Sequence, residues 1–203
     1  MKIICIGRNY REHAKELNNP VPKEPVIFMK PDTALLRNND PFYYPEFSKN
    51  IHYELEVVVK ICKLGKSIAE EFAPRYYEEI GLGIDLTARD IQQRCKEKGL
   101  PWERAKAFDF SAVQSKFIKK SELPPVDKLH FQLEKNGQPV QNGFTGDMLF
   151  PINKLIAEIS KVFTLKIGDL IYTGTPAGVG ALEVGDCFVA TLEGRELLHF
   201  NVK

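Results

Sequence analysis

The stretch HYELEVVVKI, residues 52–61, decides the fold. It is rich in β-branched residues and its first half alternates polar with apolar, the pattern of a strand. The run IGLGIDL, residues 80–86, is nearly all apolar and reads as a buried strand, although glycines at 81 and 83 weaken it. Thr87 then opens a helix, with Asp90 at capping-box spacing, and Gly99 followed by Pro101 ends it. Upstream, residues 2–6 form an apolar run entering Gly7. Residues 8–17 suit one or two helical turns stopped by Asn18, Asn19 and the prolines at 20, 22 and 25, and residues 26–30 read as a strand closed by Pro31. Downstream, Asn136-Gly137 within residues 129–140 is a hairpin turn signal. Pro151 opens an amphipathic helix with Ile152, Leu155, Ile156, Ile159, Val162 and Phe163 on one face. Residues 170–172, 187–192 and 197–202 are strands between Gly-rich turns. Many strands with two or three helices predict an α+β fold dominated by β structure rather than βαβ alternation.

The chain has 203 residues, with 28 Lys+Arg against 27 Asp+Glu, a net charge of +1. At 43% apolar and 27% charged it has the composition of a folded domain, and this length suits a single domain spanning residues 1–203. Balanced charge argues against a nucleic-acid binder, which carries a basic excess. No apolar run approaches the roughly 18 residues of a spanning helix, and the N-terminal segment lacks a secretory core and cleavage site. Cys5, Cys62, Cys95 and Cys187 are scattered without a CxxC pair, which points to reduced thiols in the cytoplasm or an organelle matrix.

Glu54 and Glu56 are the first candidates for chemistry. Two apart on a strand, they point to one side, and burial there raises one pKa sharply unless a cation sits between them. The alternative is a solvated polar edge facing Lys60. Asp85, ending the apolar run, either assists the following helix or completes a hard-cation site, and three oxygen ligands suit Mg²⁺ or Mn²⁺ better than zinc. His13 and Glu16, three apart on a helical turn, suit a general base held in one tautomer, or else a surface pair. The loop TGTPAGVG, residues 173–180, lacks a P-loop ending. It is either a wide turn or a loop whose N–H groups and Thr175 hydroxyl grip a carboxylate. Lys106, between Trp102 and Phe108, either pairs with a substrate anion or snorkels at the surface.

Together GRNYREHAKEL, EPVIFMKP, HYELEVVV, GIDLTARDIQ, KGLPWERAKAFD and GDLIYTGTPAGVG resemble the fumarylacetoacetate hydrolase family, in particular its short acylpyruvase-like members. The resemblance implies a central β-roll, a homodimer, and a divalent cation, Mg²⁺ or Mn²⁺, held by Glu54, Glu56 and Asp85. It implies that His13 and Glu16 form a catalytic dyad on an N-terminal segment, within residues 1–22, that orders as a lid over substrate. It further implies that Arg89, Gln92, Lys106, Gly174 and Thr175 serve the substrate. The implied chemistry is cleavage of a C–C bond in small 2-oxo acids, acylpyruvate hydrolysis first, with oxaloacetate decarboxylation beside it. An isomerase or decarboxylase of 2-hydroxy-diene-dioates is the alternative. Asp32, where similar proteins often carry Ser or Thr, would disfavour a second substrate anion if it faced the site. A metal-dependent nuclease lacks its E-x-K signature here, and the intact His13/Glu16 pair argues against a catalytically silent binding protein.

Overall fold

The computed structural model describes residues 1–17 and 20–203; the expected helix stop at Asn18 and Asn19 lies outside the described residues. The chain opens with β1 (Ile3–Gly7), α1 (Arg11–Glu16), β2 (Val26–Lys30) and β3 (Leu35–Leu36). It continues through β4 (Ile51–Tyr53), β5 (Leu55–Ile61), β6 (Tyr77–Asp85), β7 (Thr87–Ala88), α2 (Arg89–Lys98) and α3 (Glu103–Lys106). Then come β8 (Ala112–Lys119), the hairpin β9 (His130–Lys135) and β10 (Gln138–Phe144), and α4 (Ile152–Val162). The last strands are β11 (Leu170–Tyr172), β12 (Gly180–Ala181), β13 (Cys187–Leu192) and β14 (Arg195–Asn201). No helix among the described residues is long and apolar enough to cross a membrane.

The strands form a seven-stranded sheet in the order β2-β1-β11-β5-β6-β8-β3, a four-stranded sheet β10-β9-β13-β14 and a three-stranded sheet β12-β4-β7. The large sheet is mixed: β1 runs parallel to β11 and β3 parallel to β8, while the remaining pairs are antiparallel. β13 and β14 pack against β6 and β8, closing the expected strand-rich α+β roll around the main apolar core. Asn136 and Gly137 take φ of +54° and +75°, the left-handed pair that a two-residue hairpin turn requires. β1 is an interior strand of the large sheet.

Two expected elements are corrected. The single strand at residues 52–61 is two strands in different sheets. The chain turns at Glu54, whose carbonyl accepts the Asp85 N–H at 2.8 Å, while the Leu55 N–H goes to Gln141 Oε1 at 2.9 Å. β6 turns beside it, and β7 pairs with β4 through Ile51–Ala88 and His52–Thr87. Thr87 therefore lies in a strand rather than capping the helix. α2 starts at Arg89, and the Asp90 carboxylate takes hydrogen bonds from the Ser48 hydroxyl and the Lys49 and Ile91 N–H groups. Val162, at the flank of the α4 apolar stripe in its last turn, is 64% exposed.

Alternation along the strands divides the large sheet into two faces. Val57 and Val59 on β5 and Ile80, Leu82 and Ile84 on β6 enter the main core. Ile3, Cys5, Val58, Leu170 and Tyr172 form a second cluster on the opposite face, with Phe28 and Phe117 against it. Gly83 belongs to that second face. A Cβ there would lie 2.4 Å from Tyr172 Cε1, so the glycine is what admits the ring, whose hydroxyl donates to the Val113 carbonyl at 3.0 Å. We expect Gly83→Ala to cost about 1–3 kcal/mol by urea unfolding, through overpacking against a ring that cannot retreat. Adding Tyr172→Leu should recover part of that loss, because the clashing ring is gone.

Candidate functional site

The acidic cluster follows from the two faces and the sheet corner. Glu56 shares the second face with Val58, and Asp85 shares it with Gly83. Glu54 stands at the turn between β4 and β5, backbone-bonded to Asp85. All three are buried, and one oxygen from each lies within 4.8 Å of the others.

Basic groups from three other elements enter this cluster. Lys106, from α3, places Nζ 2.8 Å from Glu54 Oε2, 2.6 Å from Asp85 Oδ2 and 2.6 Å from Thr87 Oγ1. Lys30, at the end of β2, places Nζ 2.7 Å from Asp85 Oδ1 and donates to Ser111 and to the Lys106 carbonyl. Arg89, from α2, donates to Glu54 Oε1 at 2.5 Å and to Gln92 Oε1 at 2.6 Å. Lys106 is only 4% exposed, so it is no snorkelling surface lysine. Its ammonium also lies 5.1 Å from the Phe28 ring centroid, a cation–π contact.

These pairings set the charge states. Burial alone would push the Glu54 carboxyl up, but Lys106, Arg89 and His13 outweigh it and hold it far below the usual carboxylate range. Burial lowers the affinity of Lys106 for its proton, yet Asp85 and Glu54 raise it further, so the ammonium stays charged. Glu56 is different. Burial and the charges of Asp85 and Glu54 push its carboxyl well up, opposed by the Gly174 N–H and Lys106. Among the described residues Glu56 forms no ion pair; Gly174 donates to its Oε2 at 2.7 Å. Three buried carboxylates with oxygens within 4.8 Å of one another, one of them without a cationic partner among the described residues, fit a hard divalent cation.

The remaining expected residues gather at the same narrow cleft. His13, Arg89, Gln92, Lys106 and Thr175 line it together with the three acids. Glu16 stands behind His13, its Oε2 3.1 Å from Nδ1, and its other oxygen takes the Gly178 N–H at 3.0 Å. Gly174 has φ of +103°, and a Cβ there would meet Asn9 Cβ at 2.5 Å, so only glycine brings this N–H to Glu56. Asn9 pins the loop by donating to the Thr173 and Phe150 carbonyls. Gln141, beside a bulge in β10, donates to Thr175 Oγ1 at 2.9 Å and to the Pro176 carbonyl at 3.0 Å. The loop is thus a gripping device for Glu56 and Glu16, not a wide turn. Lys60, the alternative partner for the glutamates, pairs instead with Glu79. Asp32 is exposed and does not line the cleft, so it sets no bar to a second substrate anion.

Sequence reasoning missed Arg8, Lys30, Lys96, Asn9 and Gln141. Lys30 had a signal, since it shares strand parity with Phe28. Lys96 had one too, because Arg89, Gln92 and Lys96 recur at i, i+3 and i+7 on one helix face. Arg8, at φ +60° just after β1, carries no pattern that a sequence reveals.

The chain matches the family described as Fumarylacetoacetate (FAA) hydrolase C-terminal over residues 2–202. It is 42% identical over 201 residues to oxaloacetate tautomerase FAHD1, mitochondrial, of Mus musculus, covering 99% of this chain and 91% of that protein. To oxaloacetate tautomerase YcgM of Escherichia coli it is 42% identical, covering 97% of this chain and 90% of that one. Among solved structures, fumarylpyruvate hydrolase from Pseudomonas aeruginosa, in complex with Mn²⁺ and pyruvate, superposes with a TM-score of 0.93 at 33% identity, covering 100% of this chain and 89% of that one. Matched along nearly its whole length, the chain belongs to the fumarylacetoacetate hydrolase family.

Proposed function

We propose that the cleft is the active site of a divalent-cation-dependent enzyme that enolises small 2-oxo acids, with Mg²⁺ or Mn²⁺ held by Glu54, Glu56 and Asp85. The observation that carries this reading is a buried trio of carboxylates with oxygens within 4.8 Å, facing the same cleft as an imidazole held by a carboxylate. When bound, the cation supplies Lewis acidity that stabilises negative charge developing on the oxo acid.

The side chains do the rest. Glu16, itself anchored on the Gly178 N–H, fixes the Nδ1–H tautomer of His13 and leaves Nε2 as the base. In keto–enol exchange His13 takes the proton from the carbon beside the oxo group while the oxo oxygen gains one. Lys106 and Arg89 hold positive charge next to that oxygen, and Gln92 orients Arg89. The buried Arg89 Nε–H has no protein acceptor among the described residues and serves a substrate oxygen. Exchange of this kind is what the two tautomerase relatives are named for.

C–C cleavage instead releases the enolate of pyruvate as the bond breaks, and the same positive groups would stabilise it. In hydrolysis of an acylpyruvate, His13 deprotonates a water that attacks the distal carbonyl. In decarboxylation the dyad instead protonates the enolate left behind. The fumarylpyruvate hydrolase relative supports hydrolytic C–C cleavage as a second reading. A homodimer belongs to the same proposal, as does a reducing compartment such as the cytoplasm, since all four cysteines are free thiols.

Turnover of oxaloacetate and acetylpyruvate with Mg²⁺ tests the assignment. His13→Ala should lose about 10²- to 10⁴-fold in kcat and still bind Mn²⁺; wild-type rates on both substrates would refute the dyad. Glu56→Gln should lose Mn²⁺ binding, measured by calorimetry, with the fold retained. Lys106→Met should cost about 3–5 kcal/mol of unfolding free energy, because Glu54 and Asp85 stay buried with a cation gone. Lys60→Met, removing one member of a pair 40% exposed on each side, should cost at most about 1 kcal/mol.

A further inference from the structure

Two cations at the cleft have no role in the chemistry above. Arg8 and Lys96 both line it, from the end of β1 and from the exposed flank of the α2 face that carries Arg89 and Gln92. Each is half-buried. Neither forms an ion pair with a carboxylate among the described residues, whereas Lys30, Lys106 and Arg89 are all engaged with the acidic trio. Burial lowers the affinity of Lys96 for its proton, and the positive charges of Arg8, Arg89 and Lys106 lower it further against the opposing charge of Glu54. Arg8 also holds a left-handed backbone, φ +60°, which a non-glycine residue adopts at a cost. Holding like charges together in a half-buried rim is unfavourable unless an anion joins them.

The charge count says which anion. The acidic trio is balanced by Lys30, Lys106 and Arg89, so a divalent cation leaves two positive charges there, which the carboxylate of a 2-oxo acid and the enolate charge developing on its oxo oxygen take up without Arg8 and Lys96. The rim pair is surplus to that head group. We infer that Arg8 and Lys96 bind a second, distal carboxylate, so that the enzyme selects dianionic 2-oxo acids over monoanionic acylpyruvates; this rests on the oxo-acid reading of the cleft. Asp32, exposed and outside the cleft lining, does not oppose a second anion there.

The pair 2-oxoglutarate and 2-oxopentanoate isolates the distal group, because the two share the head group and chain length and differ by a carboxylate in place of a methyl. Calorimetric titration of the Mg²⁺-loaded protein should show the diacid binding about 10- to 100-fold more tightly. In Arg8→Gln/Lys96→Gln that preference should collapse to within about threefold, with the loss falling on the diacid. Lys96→Gln alone, on a regular helix, supplies the test if the double variant does not fold, and should remove about half of the preference on a logarithmic scale. A preference that survives in both variants, or a wild-type protein that binds the two acids equally, overturns the distal-carboxylate assignment and leaves the oxo-acid reading standing. Failure of the wild-type protein to bind either acid overturns the oxo-acid reading and the assignment with it.

Discussion

Three carboxylates buried within 4.8 Å of one another repel strongly where water cannot screen them, and the architecture answers that repulsion. Their neutralising groups come from separate parts of the chain: Lys30 from β2, Arg89 from α2 and Lys106 from α3. None of the three helps unless the strand or helix that carries it is docked. The cluster therefore ties β2, β5, β6 and both helices to one point. Glu56 is held differently, by a backbone N–H that only a glycine at 174 can deliver. It is the carboxyl least satisfied by the protein alone, and on the proposed reading the one that most favours a bound cation.

The corner between sheets is what makes such crowding possible. β4–β5 and β6–β7 cross together from the large sheet to the small one, bonded to each other through Glu54 and Asp85 at the crossing. A straight strand would have placed Glu54 and Glu56 on one face with fixed separation. The turn instead lets Glu54 swing toward Lys106 and Arg89 while Glu56 stays with Gly174. The large sheet thus gives one face to the main core and the other to a smaller apolar cluster from which the site opens.

Much of this was legible in the chain. The acidic pair, Asp85, the His13/Glu16 pair and the Gly-rich loop each follow from local spacing, and the structure gathers them at one cleft. The break at Glu54 was not legible, because β-branched composition continues across it and the cause is a tertiary bond to Gln141, 86 residues away. Thr87 followed the capping pattern but was claimed by strand pairing with His52. Glycines 81 and 83 looked like weaknesses in a strand, and Gly83 proves to be the space that Tyr172 fills. Lys106 could not be told from a surface lysine, since nothing nearby in sequence reveals that Glu54 and Asp85 surround it.

The parallel pairing of β1 with β11 joins Ile3 to Leu170, nearly the full span of the polypeptide. Glu56 likewise waits for Gly174, and Glu16, which steadies His13, waits for Gly178. During ribosomal synthesis the acidic residues emerge long before the segment that completes their surroundings. A nascent chain thus carries Glu54, Glu56 and Asp85 without the loop that holds Glu56 until residues 173–180 have been made.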